Sequence, residues 1–451
     1  MNTNRSLALV AVAAAALAAA HASGAADADG FWPQWRGPLA TGAAPRSRPP
    51  VEWSESRNVR WKAELPGRGA STPIVWGEVV LVTTAVPIEK RLQPRAGAPA
   101  PSARRNPNVS APSQAQAFQV IAYGREDGKP RWTRTVREEF PHEGTHQDGS
   151  FASSSLVTDG ERIYAFFGSR GLYCLDMQGR PVWEKDLGLM SIKLGFGEGA
   201  SPALHGDRLV VNWDHEGESF IAALDAKSGR EVWRVAREEK TTWATPLVVA
   251  HEGTTHVVTS ATNRVRGYDL ATGRLLWEGP GLTSNAIPTP VSGEGMVYLT
   301  SGFRGNALLA VKLSAARGDL AETPAIAWRY DQDTPYVPSP LLYEGGLYFL
   351  KHNSGILTRL DAATGRKDFT ERLEGIQNVY ASPVGAAGRI YVLDRGGPAA
   401  VLEAGRALKA LALNTLDDGF DASPAVAGDD LFLRGRRYLY RIAETPSGEE
   451  R

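Results

Sequence analysis

What the chain lacks narrows its chemistry first. Among 451 residues there is one cysteine, Cys174. No intrachain disulfide can form, and without a Cys-x-x-Cys-His run there is no c-type haem attachment. Cys174 lies in an expected strand and reads as a small buried residue. Excess charge is also missing. The 50 basic and 50 acidic side chains cancel, so no bulk charge draws the chain to nucleic acid or to a membrane. The body has no amphipathic helical period. The apolar run, Leu7 to Ala20, is too short and too Ala-rich for a spanning helix, so no transmembrane span is expected.

That run has the form of a secretory signal. Arg5 supplies the charge and Ala20-His21-Ala22 a cleavage site. Residues 1–22 are therefore expected to be a cleaved signal peptide. No cysteine follows, so it is not a lipoprotein signal. The mature protein is expected in the periplasm or outside the cell, as a monomer.

Glycine (47) and proline (29) are plentiful, as in a turn-rich all-β chain. One phrase recurs: an acidic residue, a glycine turn, then tryptophan. It appears at Asp127-Gly128…Trp132, Asp176…Gly179…Trp183, Asp225…Gly229…Trp233 and Asp269…Gly273…Trp277. Asp361…Gly365 repeats it with Phe369 in the tryptophan position. The period is about 45–50 residues, which signals a repeat architecture.

A second phrase keeps the same beat: a hydroxyl residue, usually followed by proline, then an apolar run. The copies are Thr72, Ser155, Ser201, Thr245, Thr289, Ser339, Ser382 and Ser423. Proline cannot donate to a ladder, so it marks the start of a strand. Each unit reads as four short antiparallel strands, a propeller blade. Such a sheet cannot cover both faces alone, but neighbours in a ring cover each other. The repeated tryptophans are expected to dock one blade on the next. The last unit, from Ser423 to Ile442, lacks its final strand, and Asn58 to Leu65 is an orphan tryptophan strand. The fold expected is an all-β, eight-bladed β-propeller of four-stranded antiparallel blades over 58–443, closed by that N-terminal strand. Residues 23–57 read as an extension, 444–451 as a tail, and the Pro/Ala/Ser/Arg-rich stretch 88–116 as a disordered insertion in the first blade.

These two phrases together resemble the pyrroloquinoline quinone (PQQ) repeat of quinoprotein-like propellers, over nearly the whole chain beyond residue 57. Trp32-Pro33-Gln34-Trp35-Arg36-Gly37-Pro38 looks typical of PQQ-binding-like propellers of bacterial envelopes. The architecture is similar to the propeller subunits of the outer-membrane β-barrel assembly machinery, which are not enzymes. The resemblance is strong for fold and weak for activity. Quinoprotein dehydrogenases would imply PQQ with calcium, but none of their catalytic motifs can be matched here.

Function is expected on one face. The loop leading into each innermost strand and the loop between the second and third strands emerge there together. The first set contributes Trp243, Tyr336, Tyr380 and Asp421, the second Asp214, His215 and Glu216. Arginine recurs at one station of the second set: Arg170, Arg264, Arg304, Arg395 and Arg434. A ring of guanidinium forks would suit an anionic or quinone-carboxylate ligand; alternatively each arginine pairs with a nearby acid and caps a turn. His142, His146 and Asp148 are a candidate metal set, although Gly144 argues for a loop rather than a helix. The favoured reading is a non-catalytic binding or scaffold module with a protein partner or a small anionic or glycan ligand. The alternatives are a PQQ-dependent dehydrogenase and a glycan-binding module.

Overall fold

The computed structural model describes residues 30–97 and 106–445. The expected signal peptide, its cleavage site and most of the tail lie outside them. Eight four-stranded antiparallel sheets follow one another around a ring. Their strands span 74–139, 157–185, 203–237, 247–280, 291–330, 341–372, 384–415 and 425–442, here blades 1 to 8. Val59–Glu64 pairs antiparallel with Tyr438–Ile442 and is the outermost strand of blade 8. The first and last parts of the chain thus share one sheet, which closes the ring and leaves no open blade.

Burial follows the layout. Middle strands such as Arg208–Trp213 and Ser219–Asp225 are buried almost throughout, because neighbouring blades cover both their faces. The outer strand Pro130–Glu139 alternates between exposed and half-buried, since one face is in water.

The tryptophans of the first phrase other than Trp277, and with them Trp61 and Trp328, dock on the glycine turn of the next blade. The indole N–H of Trp61 donates to Arg125 O, that of Trp132 to Met177 O, and that of Trp183 to Ala226 O. Trp233 bonds Leu270 O and Trp328 bonds Ala362 O in the same way. Burying such a ring removes about 150–250 Å² from water, or about 4–6 kcal/mol before entropy. Blade 5 carries no glycine turn of this kind. Trp277 turns instead into its own blade, its N–H 3.3 Å from His256 Nδ1. The segment that replaces the turn adds a parallel strand, Gly318–Asp319, beside Trp277 and Glu278.

The hydroxyl phrase forms a belt around the axis. The backbone N–H of each copy donates to the hydroxyl oxygen of the next: Thr72 to Ser155, Ser155 to Ser201, Ser201 to Thr245 and Thr245 to Thr289. It continues from Thr289 to Ser339, Ser382 and Ser423, with all links between 2.8 and 3.3 Å. Thr72 Oγ1, at the seam between blades 8 and 1, has no partner among the described residues. There the buried Arg434 crosses the seam to Ser71 O at 3.4 Å, and burial lowers its pKa to about 10.

Within the N-terminal extension, residues 30–53 are bonded to the blades. Trp32 and Val75 exchange two backbone hydrogen bonds of 2.9 Å, and Pro33 O accepts from Thr158 N–H. Gly42 and Ala44 pair with Gly385. Arg36 is buried and donates to Pro340 O at 2.8 Å, Pro383 O at 2.9 Å and Thr41 O at 3.3 Å. The segment therefore crosses one mouth of the ring and bonds to blades 1, 2, 6 and 7. In the stretch 88–116, Ile88 and Ala115–Gln116 extend the long strands of blade 1. Val109–Ser110 pairs with Thr145–His146, so this part is ordered strand. Among the described residues no helix is long and apolar enough to cross a membrane.

Candidate functional site

The hydroxyl belt and the loops above it enclose a cavity of about 280 Å³ on the propeller axis. Its floor is Trp35, whose indole N–H bonds Thr289 Oγ1 at 2.9 Å. Ser155, Ser201, Thr245, Ser339 and Ser423 line the wall. Above them the incoming loops contribute aromatic rings from Phe196, Trp243, Tyr336 and Tyr380, together with His146 and the acids Asp148, Glu198 and Asp421.

The loops between second and third strands form a tier behind these residues. Arg170 is buried and pairs with Glu198 at 2.8 Å, while Ser169 adds its N–H and hydroxyl to the same carboxylate. Arg395 joins Asp148, at 3.0 Å, to Asp421, at 2.5 Å, and stacks over the ring of Tyr380 at 4.0 Å. The Tyr380 hydroxyl donates to Asp148 Oδ2 at 3.1 Å. Partial burial pushes the Asp148 carboxyl up, but Arg395 outweighs it and holds the pKa below the ordinary value. Burial beside Asp148 raises the Tyr380 phenol to about 12. Tyr336 stacks on Phe303, with ring centroids 4.7 Å apart, and Arg304 lies over the Phe303 ring at 5.3 Å.

The other expected residues lie away from the cavity. Asp214 and Arg237 form a fully buried pair at 2.7 Å; Arg237 also reaches Tyr268 and Thr259, clamping blade 3 to blade 4. His215 accepts Ser191 N–H at 3.0 Å, and burial lowers its pKa. Glu216 accepts from the Thr241 hydroxyl at 2.8 Å and holds the loop leading into blade 4. Arg264 is on the outer rim, 3.1 Å from Asp319. Arg434 is the seam residue. The five arginines therefore do not form a ring facing the axis; each is occupied with its own neighbours.

His142, His146 and Asp148 are not brought together. His146 Nδ1 lies 3.6 Å from Asp148, but His142 is buried with Nε2 2.8 Å from Met190 O. Among the described residues no group of three or more His, Cys, Asp or Glu side chains is placed to hold a metal ion.

PQQ is a polycarboxylate and needs cationic partners. The cavity wall offers no lysine or arginine among the described residues: its ionisable side chains are the three acids and His146. Of the guanidiniums behind the wall, Arg395 is shared between two of those acids and Arg170 is paired with the third. Calcium would need carboxylates without a competing cation, and all three are paired with arginines. The residues present do not fit this cofactor.

One feature of the cavity went unread in the sequence: Trp35 is its floor. The only signal for it was the dense Trp-Pro-Gln-Trp-Arg-Gly-Pro phrase in an otherwise loop-like stretch.

A model of the family described as outer membrane protein assembly factor BamB matches residues 109–218 and 217–447. The chain belongs to that family. A curated relative of the same description from Burkholderia pseudomallei is 26% identical over 178 residues, which cover 38% of this chain and 42% of that one. Among solved structures, BamB from Moraxella catarrhalis aligns with a TM-score of 0.51 at 16% identity, over 82% of this chain and all of that one. Quinohemoprotein alcohol dehydrogenase from Comamonas testosteroni aligns with a TM-score of 0.60 at 12% identity, over 95% and 85%. At such identities the solved structures share the fold alone.

Proposed function

We propose that the protein is an exported, non-catalytic binding or scaffold module of the bacterial cell envelope, which receives its partner or ligand on the loop face around the axis. The observation that carries this reading is the condition of the three acids in the cavity. Asp148, Glu198 and Asp421 each accept hydrogen bonds from an arginine. A general base or nucleophile needs a carboxylate free to take a proton or attack, and these are held as fixed acceptors. Family membership agrees with a scaffold role, and the leader read from residues 1–22 supports export.

The test is in vivo cross-linking from the loop face, with purification of the adducts from envelope fractions. An envelope protein captured from positions beside Tyr336 or Tyr380, and not from the outer rim, is the expected result. Oxidation of an alcohol or sugar by the protein with PQQ and calcium, lost in Asp148→Asn, would sink the reading.

A further inference from the structure

We propose that the axial cavity is a blind pocket for the terminal residue of a neutral carbohydrate chain. This rests on the loop-face binding role above and names the class of ligand taken there.

The first observation is the hydroxyl belt. Ser155, Ser201, Thr245, Ser339 and Ser423 line the cavity and are buried. Each accepts one backbone N–H from the preceding blade. None donates its own hydroxyl hydrogen to a protein acceptor among the described residues. A buried hydroxyl seeks a partner for that hydrogen, so the belt is a set of donors pointing at whatever occupies the axis. Above it, Asp148, Glu198 and Asp421 are oriented acceptors. The pocket therefore donates at its base and accepts at its mouth.

The aromatic rings supply the second observation. Tyr336 is held flat by Phe303, Tyr380 is fixed beneath Arg395, and the Trp243 N–H is anchored on Gly197 O at 2.7 Å. These rings line the cavity as fixed walls, with the Trp243 N–H and the Tyr380 hydroxyl already bonded. A sugar matches both sets: its hydroxyls donate and accept, and its C–H faces pack on aromatic rings.

Charge excludes the rivals. An anion meets acids and no lysine or arginine at the wall. A cation finds acids already neutralised by Arg170, Arg395 and Arg436, over a base of donors it cannot satisfy. Trp35 decides which part of the chain enters. It closes the floor and also lines a smaller cavity on the other side of the belt, so the indole is a septum between the two. A polymer cannot pass through, and only its end can enter.

The probes are maltotriose, cellotriose and chitotriose, titrated into the full mature chain and read by calorimetry and tryptophan fluorescence. Saturable binding of at least one is expected. Tyr336→Ala should weaken it by about tenfold, Tyr336→Phe should retain it, and Arg264→Ala on the outer rim should leave it unchanged. Circular dichroism confirms that each variant is folded. No saturable binding of any trisaccharide overturns the proposal, as does binding that Tyr336→Ala and Trp243→Ala leave intact. Loss of the sugar site with envelope cross-links retained removes this inference alone, whereas PQQ-dependent turnover removes the broader reading.

Discussion

Gly229 of blade 3 lies against the indole of Trp183 in blade 2, so closely that a Cβ on the glycine would stand 2.7 Å from Trp183 Cδ2. The same contact joins Gly179 to Trp132, Gly273 to Trp233, Gly365 to Trp328 and, across the closure, Gly128 to Trp61. In the sequence phrase the glycine and the tryptophan look like partners. In the fold they never meet: the glycine serves the blade before, and the tryptophan serves the blade after. The repeat is thus half of one joint and half of the next.

This joint makes Gly229→Ala a sharp test. Gly229 has φ +68°, and the added methyl would clash with the indole. Left-handed backbone costs an L-residue about 1–2 kcal/mol, and overpacking adds about 1–3. Gly206 has a similar φ of +57° but nothing near its Cβ position. Urea unfolding should show Gly229→Ala losing about 2–5 kcal/mol and Gly206→Ala only the backbone part. Equal losses would mean that the indole contact contributes nothing.

The legibility of the molecule follows from this joint. Blade number, closure and tryptophan docking were readable because the ring applies one local chemistry again and again. The crossing segment was not. Arg36 finds its acceptors at Pro340 and Pro383, some 300 residues away, so no local period announces it. The arginine station was visible as a residue type, but sequence cannot give radial depth. Only the fold shows Arg170 and Arg395 behind the acids rather than facing the axis. His142 is held at the Met190 carbonyl while His146 pairs in a short strand with Val109, which keeps the two apart.

The hydroxyl belt predicts an asymmetric response to two substitutions. Ser201→Ala removes the acceptor of the Ser155 N–H in a buried place. An orphaned buried donor costs about 1–3 kcal/mol. Ser201→Thr keeps the oxygen and should lose much less. Native-state hydrogen exchange at the Ser155 amide is the direct readout: faster in Ser201→Ala, near wild type in Ser201→Thr.

The Asp148–Arg395 pair makes stability depend on pH at the acid end. The folded pKa of Asp148 is depressed, so the pair stabilises above the unfolded value of about 3.9 and its contribution is lost as pH falls through the folded pKa. Arg395 is mostly buried and Asp148 about one-quarter exposed, between the surface and buried limits. Arg395→Gln should therefore cost about 1–3 kcal/mol at neutral pH. The gap from wild type should shrink as pH falls below about 4. A gap that stays constant from pH 7 to pH 3 would show that the loss is packing against Tyr380 rather than charge.

Arg36 predicts local rather than global failure. Burial pulls its pKa down to about 9, and it has three carbonyl acceptors. Arg36→Ala takes the donor from the Pro340 and Pro383 carbonyls, a loss of about 2–4 kcal/mol, while Arg36→Met removes the buried charge yet fills the space and should cost less. Limited proteolysis should cut Arg36→Ala first between residues 30 and 50, with the blades still resistant. Simultaneous cleavage throughout would mean that this segment and the ring unfold as one unit.

The last prediction concerns the cofactor that the repeat is named for. A ligand at 100 times its Kd stabilises the folded state by about 2.7 kcal/mol, readily seen in a thermal scan. The cavity presents Asp148, Glu198 and Asp421 to any occupant, with Arg395 already shared between two of them. A polycarboxylate brought there meets like charge and gains no guanidinium without breaking an existing pair. PQQ with calcium should therefore leave the melting temperature unchanged. Replacing the acids tests the cause: Asp148→Asn with Asp421→Asn frees Arg395 and removes two negative charges, so a shift with PQQ in that variant alone would show that the acids exclude it. A shift in the wild type would mean that Arg395 leaves its partners on binding, which a crystal of the complex would reveal as a broken Asp148 pair.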